Sequence, residues 1–360
     1  MLKRFKFLSS ILWILVFLLG FSTVNAQAKI EIPNPKLSVY VVDVGMGDAI
    51  FLDIPPKDCM LVDAGSWDNY GIDHLMQFLE DFFAEPGHEA YQNTIDVIVA
   101  SHQHKDHIQG MLKVLKEFKV GTYIDNGVGC KFGKNKASKL VKDVEKLLKS
   151  KSIKHTQITD QLIESKGKKG VYTDSILDPF ANVDVFALAG TPSPVDANEN
   201  DNSIVLKVKC DSISFLLTGD AEESEEQSII ERLKKDGNIE ALDVDVLKVG
   251  HHGSNTASSE EFVQLTSPSI SVISVGIASE SPKTKSFRLP KESVVRRLEQ
   301  YTSRVLDEEW EAQMFPDKKP KSAKSEKPLM FKSKKEIYFT SSDGTIVFKT
   351  DGKKLKAESN

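Results

Sequence analysis

The chain is poor in the features that would settle its nature cheaply. It has three cysteines in 360 residues, Cys59, Cys130 and Cys210, all far apart. An odd number allows at most one disulfide and a free thiol, so neither a disulfide framework nor a cysteine-based metal cluster organises this protein. It has no excess of positive charge: the formal net charge is −5, which gives no general attraction to nucleic acid or to anionic lipid. Beyond residue 26 it has no apolar run long enough to cross a bilayer, which excludes a polytopic channel. No internal repeat is present, so a solenoid or propeller is excluded.

One long apolar run does exist, at the N-terminus. Lys3, Arg4 and Lys6 precede an almost unbroken apolar stretch from Phe7 to Phe21, and Val24-Asn25-Ala26 supplies small residues at the spacing of a signal peptidase site. Residues 1–26 are therefore expected to be a secretory signal, with an uncleaved anchor as the alternative. No cysteine lies near the site, which argues against a lipoprotein. Losing Lys3, Arg4 and Lys6 takes the net charge from −5 to −8. Export to the periplasm or beyond is the expected localisation, with no membrane span left after cleavage.

The remainder alternates strand and helix signals. Leu37–Asp43, Ala49–Ile54 and Met60–Asp63 read as strands separated by Gly45-Met46-Gly47 and Pro55-Pro56. His74–Phe83 carries apolar residues at helical spacing, and Ile95–Ala100 is a short run of buried-strand type. Further strands are expected at 121–125, 183–188, 203–208, 214–217, 244–249 and 271–275, with helices at 110–118, 134–149, 222–235 and 291–301. Residues 317–335, dominated by Lys, Pro and Ser, read as a solvated or disordered insertion. Residues 336–340 and 345–349, joined at Asp343-Gly344, read as a β-hairpin, and 351–360 as a polar tail. The repeated order implies layered α/β, with one domain over 27–350.

Five of the eight histidines fall in two clusters. Ser101-His102-Gln103-His104-Lys105-Asp106-His107 follows the apolar run, and His251-His252 sits between glycines. Imidazoles and carboxylates crowded into seven residues at a strand end suit a borderline divalent metal such as zinc. Asp220, in Leu-Leu-Thr-Gly-Asp-Ala-Glu, stands where a strand gives way to a helix. It would serve there either as a helix cap or as a metal ligand, and the strand-end position favours the metal.

His-x-His-x-Asp-His after an apolar strand resembles the signature of the metallo-β-lactamase superfamily. Asp63 in Leu-Val-Asp-Ala-Gly resembles the family's orienting aspartate, and Asp220 its carboxylate bridging two metals. Asp43-Val-Gly-Met-Gly-Asp-Ala, Asn202-Ser-Ile-Val-Leu and Leu-Lys-Val-Gly-His251-His252-Gly-Ser254 are similar to the competence-protein (ComEC-like) hydrolase-domain branch. The resemblance covers roughly residues 37–300. It implies a four-layer αββα sandwich and a metal site of His102, His104, Asp106, His107, Asp220 and His251. Asp63, Asn202 and His252 would support these ligands from behind, and His251, His252 and Asp106 would take part in catalysis. One histidine of the pair is expected to bind metal or donate a proton, and its neighbour to support it.

The implied cofactor is one or two Zn2+ ions, with Mn2+ or another divalent metal as the alternative. Two departures stand out. Between the main motif and Asp220 the only histidine is His155, in a polar stretch that reads as surface. The Gly-His-Pro of related chains is matched by Arg288-Leu289-Pro290, and leucine cannot ligate a metal.

Such a site hydrolyses esters by acidifying a bound water. The branch implies a phosphodiester substrate, nucleic acid or nucleotide, although net charge does not favour nucleic acid. Lysines in 131–154 and 318–335 offer local phosphate contacts or are simply solvated. A lactone or β-lactam substrate, and a non-catalytic secreted metal-binding domain, are the alternatives.

Overall fold

The computed structural model describes residues 31–128, 136–192, 195–196, 198–276, 288–318 and 328–359. The expected signal peptide lies outside the described residues. Among the described residues no helix is long and apolar enough to cross a membrane.

Two sheets face each other. The first contains β1 (Leu37–Val41), β2 (Ile50–Ile54), β3 (Asp58–Val62), β4 (Thr94–Val99), β5 (Lys119–Asp125) and β6 (Lys154–Gln157). The second contains β7 (Asp184–Ala189), β8 (Val205–Cys210), β9 (Ile213–Leu217), β10 (Val246–Lys248) and β11 (Ile270–Ile273). A separate two-stranded ribbon pairs β12 (Val305–Met314) with β13 (Leu329–Lys335). The chain returns through β14 (Ile337–Phe339) to the second sheet, then through β15 (Ile346–Thr350) and β16 (Leu355–Ser359) to the first. The orders are β16-β15-β1-β2-β3-β4-β5-β6 and β14-β11-β10-β9-β8-β7.

Strand alternation builds the layers, because successive side chains point to opposite faces. Val39, Leu52, Met60 and Val97 of the first sheet meet Val185, Leu206, Phe215 and Val246 of the second in one buried core. Phe215 and Phe348 pack edge to face there with ring centres 6.0 Å apart. The odd-man residues face outwards. Phe51, Leu61 and Ile98 pack under Leu75, Leu79 and Phe82 of α1 (Asn69–Ala84) and under Met111 and Leu115. On the other side Leu216, Leu247 and Ile273 pack under Ile229, Ile230 and Leu233, Phe262, and Val294 and Leu298.

The short α2 (Lys105–Ile108) and α3 (Met111–Glu117) follow β4, while α4 (Lys136–Ser150) and α5 (Asp160–Lys166) flank β6. The second sheet is covered by α6 (Glu223–Lys235), α7 (Glu260–Thr266) and α8 (Glu292–Tyr301). The result is the expected αββα sandwich. Both faces of each central strand are apolar, which is why these strands read as continuous runs. Cys59 and Cys210 are buried free thiols, and burial raises both, Cys210 to about 11.

Three readings of the C-terminal third differ from the structure. The expected hairpin over 336–349 is two strands in different sheets: β14 runs parallel to β11, and β15 antiparallel to β1. The helical turn Thr340–Asp343 between them carries the chain across the sandwich. Ile337 and Phe339 join the outer core, while Ile346 and Phe348 join the inner one. The Lys-rich 317–335 is not wholly irregular, since β13 occupies its second half. Phe331 and Ser333 are buried there and Lys332 and Lys334 exposed. The lysines concealed a period-two pattern anchored by Phe331 on Trp310, ring centres 5.8 Å apart. The polar tail contains β16, held by backbone pairing with β15 and by Glu358 between Lys349 (2.9 Å) and Lys356 (2.7 Å).

Candidate metal centre

The loops after β3, β4, β9 and β10 converge at one edge of the sandwich. Asp63, at the end of β3, adopts a left-handed backbone with φ 60°. Its Oδ1 accepts the Ser101 backbone N–H (2.7 Å), and its Oδ2 accepts the Ser101 hydroxyl (2.7 Å) and His107 Nδ1 (2.8 Å). One carboxylate therefore fixes both ends of the 101–107 loop. Gly65 lets that loop approach: a Cβ there would lie 1.8 Å from the carbonyl oxygen of Asp106. His252 is fixed by donating from Nδ1 to the Ser274 carbonyl (2.9 Å). This leaves the Nε2 lone pair for the site, the usual way a protein sets the tautomer of a ligating imidazole.

Three groups of donor atoms result among the described residues: Asp48, Asp63 and His107 form one, and the other two share Asp220. Of those two, the first is His102, His104 and Asp220; the second is Asp106, His107, Asp220 and His252, with donor atoms in each group within 4.8 Å of one another. His102 Nε2 and His104 Nδ1 are 3.0 Å apart. Asp220 Oδ2 lies 3.8 Å from His102 Nε2 and 3.2 Å from His107 Nε2, while its Oδ1 lies 3.6 Å from His252 Nε2. Trp67 Nε1 donates to Asp106 Oδ2 (2.8 Å).

The donors suit a divalent cation. All are buried except His104, which is about one-third exposed. Asp220 Oδ1, His107 Nε2 and His252 Nε2 are buried without a hydrogen bond, which is costly unless something else satisfies them. Burial opposes ionisation of Asp220, but His107, His252 and His251 outweigh it and hold the carboxyl well below the usual range. Burial likewise opposes protonation of His107, and the carboxylates of Asp220 and Asp63 overcome it, driving this imidazole well above its ordinary value. His102 goes the opposite way, lowered by burial and by its neighbour His107. The cluster calls for positive charge, and imidazole and carboxylate are the donors a borderline divalent ion takes.

His251 is in neither group around Asp220 but reaches the carboxylate they share. Its Nε2 lies 3.9 Å from Asp220 Oδ2, and its Nδ1 contacts Glu222 Oε1 at 2.7 Å. Glu222 also accepts from Asn198 (2.8 Å), Asn200 (3.0 Å) and Thr256 (2.8 Å). Burial opposes ionisation of Glu222, but the bonds from His251, Asn200 and Thr256 prevail and lower its pKa to about 2. Both histidines of the pair are left-handed, at φ 43° and 52°. Such backbone costs about 1–2 kcal/mol per residue and points their rings into different parts of the site.

Asn202 does not face the donors. Its amide braces its own loop, with Oδ1 accepting from Asp196 N (3.0 Å) and Nδ2 donating to the carbonyls of Asp196 and Asn198. His155 lies on β6, 3.0 Å from Asp125, and belongs to none of the groups. Leu289 is buried in the outer core, and the next residue, Pro290, packs against Gly253.

A further buried pair lies beneath the site. Lys248 Nζ bonds the carboxylate of Asp48 and also the Gly219 carbonyl (3.2 Å), with both side chains 1% exposed. Lys248 sits in an apolar strand, where a lysine is itself the only available signal. Glu222 and Asn200 were equally missed, since acids and amides near a helix start read as caps.

Residues 42–277 match the family model of the metallo-beta-lactamase superfamily, Lactamase_B. The chain is 26% identical over 282 residues to ComE operon protein 3 of Bacillus subtilis (strain 168), covering 74% of this chain and 31% of that protein. It is 35% identical over 120 residues to Recombination protein 2 of Haemophilus influenzae, covering 33% and 14%. It is 34% identical over 109 residues to Competence protein ComA of Neisseria gonorrhoeae, covering 30% and 14%. The chain thus spans less than a third of the length of these relatives.

Proposed function

Since the chain belongs to the metallo-β-lactamase superfamily, we propose that it is an exported divalent-metal hydrolase, with Zn2+ the first candidate ion, that cleaves phosphodiester bonds of a nucleic acid or nucleotide. The observation that carries the metal part is the pair of donor groups sharing Asp220. Relatives named for competence and recombination support the substrate class. The apolar run Phe7–Phe21 behind Lys3, Arg4 and Lys6 supports export.

In this reading His102, His104 and Asp220 hold one ion, and Asp106, His107, Asp220 and His252 hold the second. Bound ions would supply an acidified water, with its pKa lowered towards ~7, and positive charge against an anionic transition state. The protein does the rest. Asp63 keeps His107 oriented, Ser274 keeps His252 in the ligating tautomer, and Trp67 restrains Asp106. Glu222 holds the Nδ1 proton of His251, which leaves Nε2 directed at the site. There it can carry the proton that a leaving oxygen needs; burial works against its charged form, but Asp220 and Glu222 keep the imidazole above its ordinary pKa.

The test is hydrolysis by purified 27–360, stripped and then reloaded with Zn2+ or Mn2+. Substrates are bis-p-nitrophenyl phosphate, single-stranded and duplex DNA, a chromogenic β-lactam and a lactone. Phosphodiester cleavage that requires metal and is lost in Asp220→Ala is expected. Turnover of the β-lactam or lactone without phosphodiester cleavage would overturn the substrate assignment.

A further inference from the structure

The loop between β1 and β2 supplies no member to either donor group that shares Asp220, yet the ligand-bearing loops close around it. Asp48 N donates to the Asp106 carbonyl (3.0 Å), and the Asp48 carbonyl accepts from Gly65 N (2.9 Å). The Gly47 carbonyl accepts the Ser274 hydroxyl (2.8 Å), and the Ser274 carbonyl in turn accepts from His252 Nδ1 (2.9 Å). The approach is tight: a Cβ on Gly47 would lie 2.6 Å from the Asp106 carbonyl oxygen.

The Asp48 side chain stands behind two imidazoles of the second group. Its Oδ1 lies 3.6 Å from His252 Nδ1 and its Oδ2 3.9 Å from His107 Nδ1, the ring atoms opposite those that face Asp220. Oδ2 also accepts from Lys248 Nζ, and the same Nζ donates to the Gly219 carbonyl (3.2 Å), one residue before Asp220. The Lys248 carbonyl accepts the Thr218 hydroxyl (2.8 Å), so this residue holds the Asp220 loop at two points. These bonds also close the third group to an ion, since Lys248 takes Asp48 while Ser101 and His107 take Asp63.

Both side chains are 1% exposed. Stability does not account for such a pair, because apolar residues of similar volume often serve a fold as well or better. What apolar residues cannot supply is a directed bond to one carbonyl and a fixed carboxylate behind two imidazoles. Outer partners of that kind orient metal ligands and raise their basicity.

We propose that Asp48 and Lys248 are positioning residues of the metal centre, a buried charged strut that sets His107, His252 and Asp220 without itself binding an ion. This rests on the metallo-hydrolase reading and extends it to residues outside the two ligand sets.

The experiment is titration of metal-stripped 27–360 with Zn2+ and with Co2+ against a competing chelator, alongside urea unfolding of the same stripped proteins. Asp48→Asn with Lys248→Met removes both charges and nearly keeps the volume, so a pair that only holds the fold would leave metal binding as in wild type. The double variant should instead bind at least one ion about 10–100-fold more weakly, with a changed Co2+ absorption spectrum, even where its unfolding approaches that of wild type. Asp48→Asn alone should show the same loss, and it tests the same carboxylate should the double variant not fold. Wild-type affinity and spectrum in the double variant would overturn the proposal, and so would wild-type affinity in Asp48→Asn. A wild-type protein that binds neither ion would overturn the metallo-hydrolase reading itself.

Discussion

Replacing Lys248 by Met should destabilise the protein by about 3–5 kcal/mol, the cost of leaving one charge of a buried pair uncompensated. The unbranched Met side chain fills most of the lysine stem, so little of the loss comes from a cavity. What remains is the Asp48 carboxylate, 1% exposed, whose other oxygen makes no hydrogen bond and lies 3.6 Å from His252 Nδ1. Removing the carboxylate charge as well, in Asp48→Asn with Lys248→Met, should restore part of the loss. The two changes should therefore be non-additive by about 0.5–3 kcal/mol. Urea unfolding followed by the fluorescence of Trp67 and Trp310 measures this. It is run on metal-stripped protein, because a ligand bound only to the folded state adds stability of its own. The reasoning is refuted if Lys248→Met unfolds within about 1 kcal/mol of wild type, or if the double variant loses the sum of the two single losses.

Other outcomes follow from the same geometry. His102→Ala and Asp220→Ala should lose both metal, by elemental analysis, and hydrolysis, and His252→Ala should lose metal. His251→Ala should instead retain metal and lose rate by about 10²–10⁴-fold, the usual worth of a positioned proton donor; loss of metal in His251→Ala would make this residue a ligand. Gly65→Ala should fold poorly or lose metal, since its methyl group would meet the backbone of Asp106 and His107; a soluble variant with full metal content would contradict the packing. Glu226 accepts the backbone N–H groups of Ser258 and Ser259, but burial outweighs these bonds and raises its pKa to about 7. A raised carboxyl favours the folded state below its unfolded value of 4.5, and that advantage is lost as pH climbs to about 7. Wild type should thus lose roughly 3 kcal/mol across that window, and Glu226→Gln should not. Parallel denaturation curves of the two proteins from pH 4.5 to 7 would refute the assignment.

Much of this protein is written locally. The apolar strands, the 3.6-residue pattern of α1 and α6, and the crowding of His102, His104, Asp106 and His107 after β4 depend on neighbours in sequence, so the chain alone announces layered α/β and a metal-type donor cluster, while the family resemblance adds the sandwich and the bridging place of Asp220. What the chain could not announce depends on distant partners. The pattern of β13 is masked because lysines occupy its exposed positions, and only Phe331 against Trp310 reveals the buried side. Ile337–Phe339 and Ile346–Thr350 look like one hairpin because turn residues separate them, yet they belong to different sheets, each pairing with a strand formed elsewhere in the chain. Asn202 and Asn200 are two positions apart and chemically identical. The loop's own hydrogen bonds consume the first amide and leave the second with a bare oxygen. His251 and His252 are likewise indistinguishable as letters. Two successive left-handed residues turn one ring towards Ser274 and Asp106 and the other towards Glu222, and that choice exists only once the loops are packed.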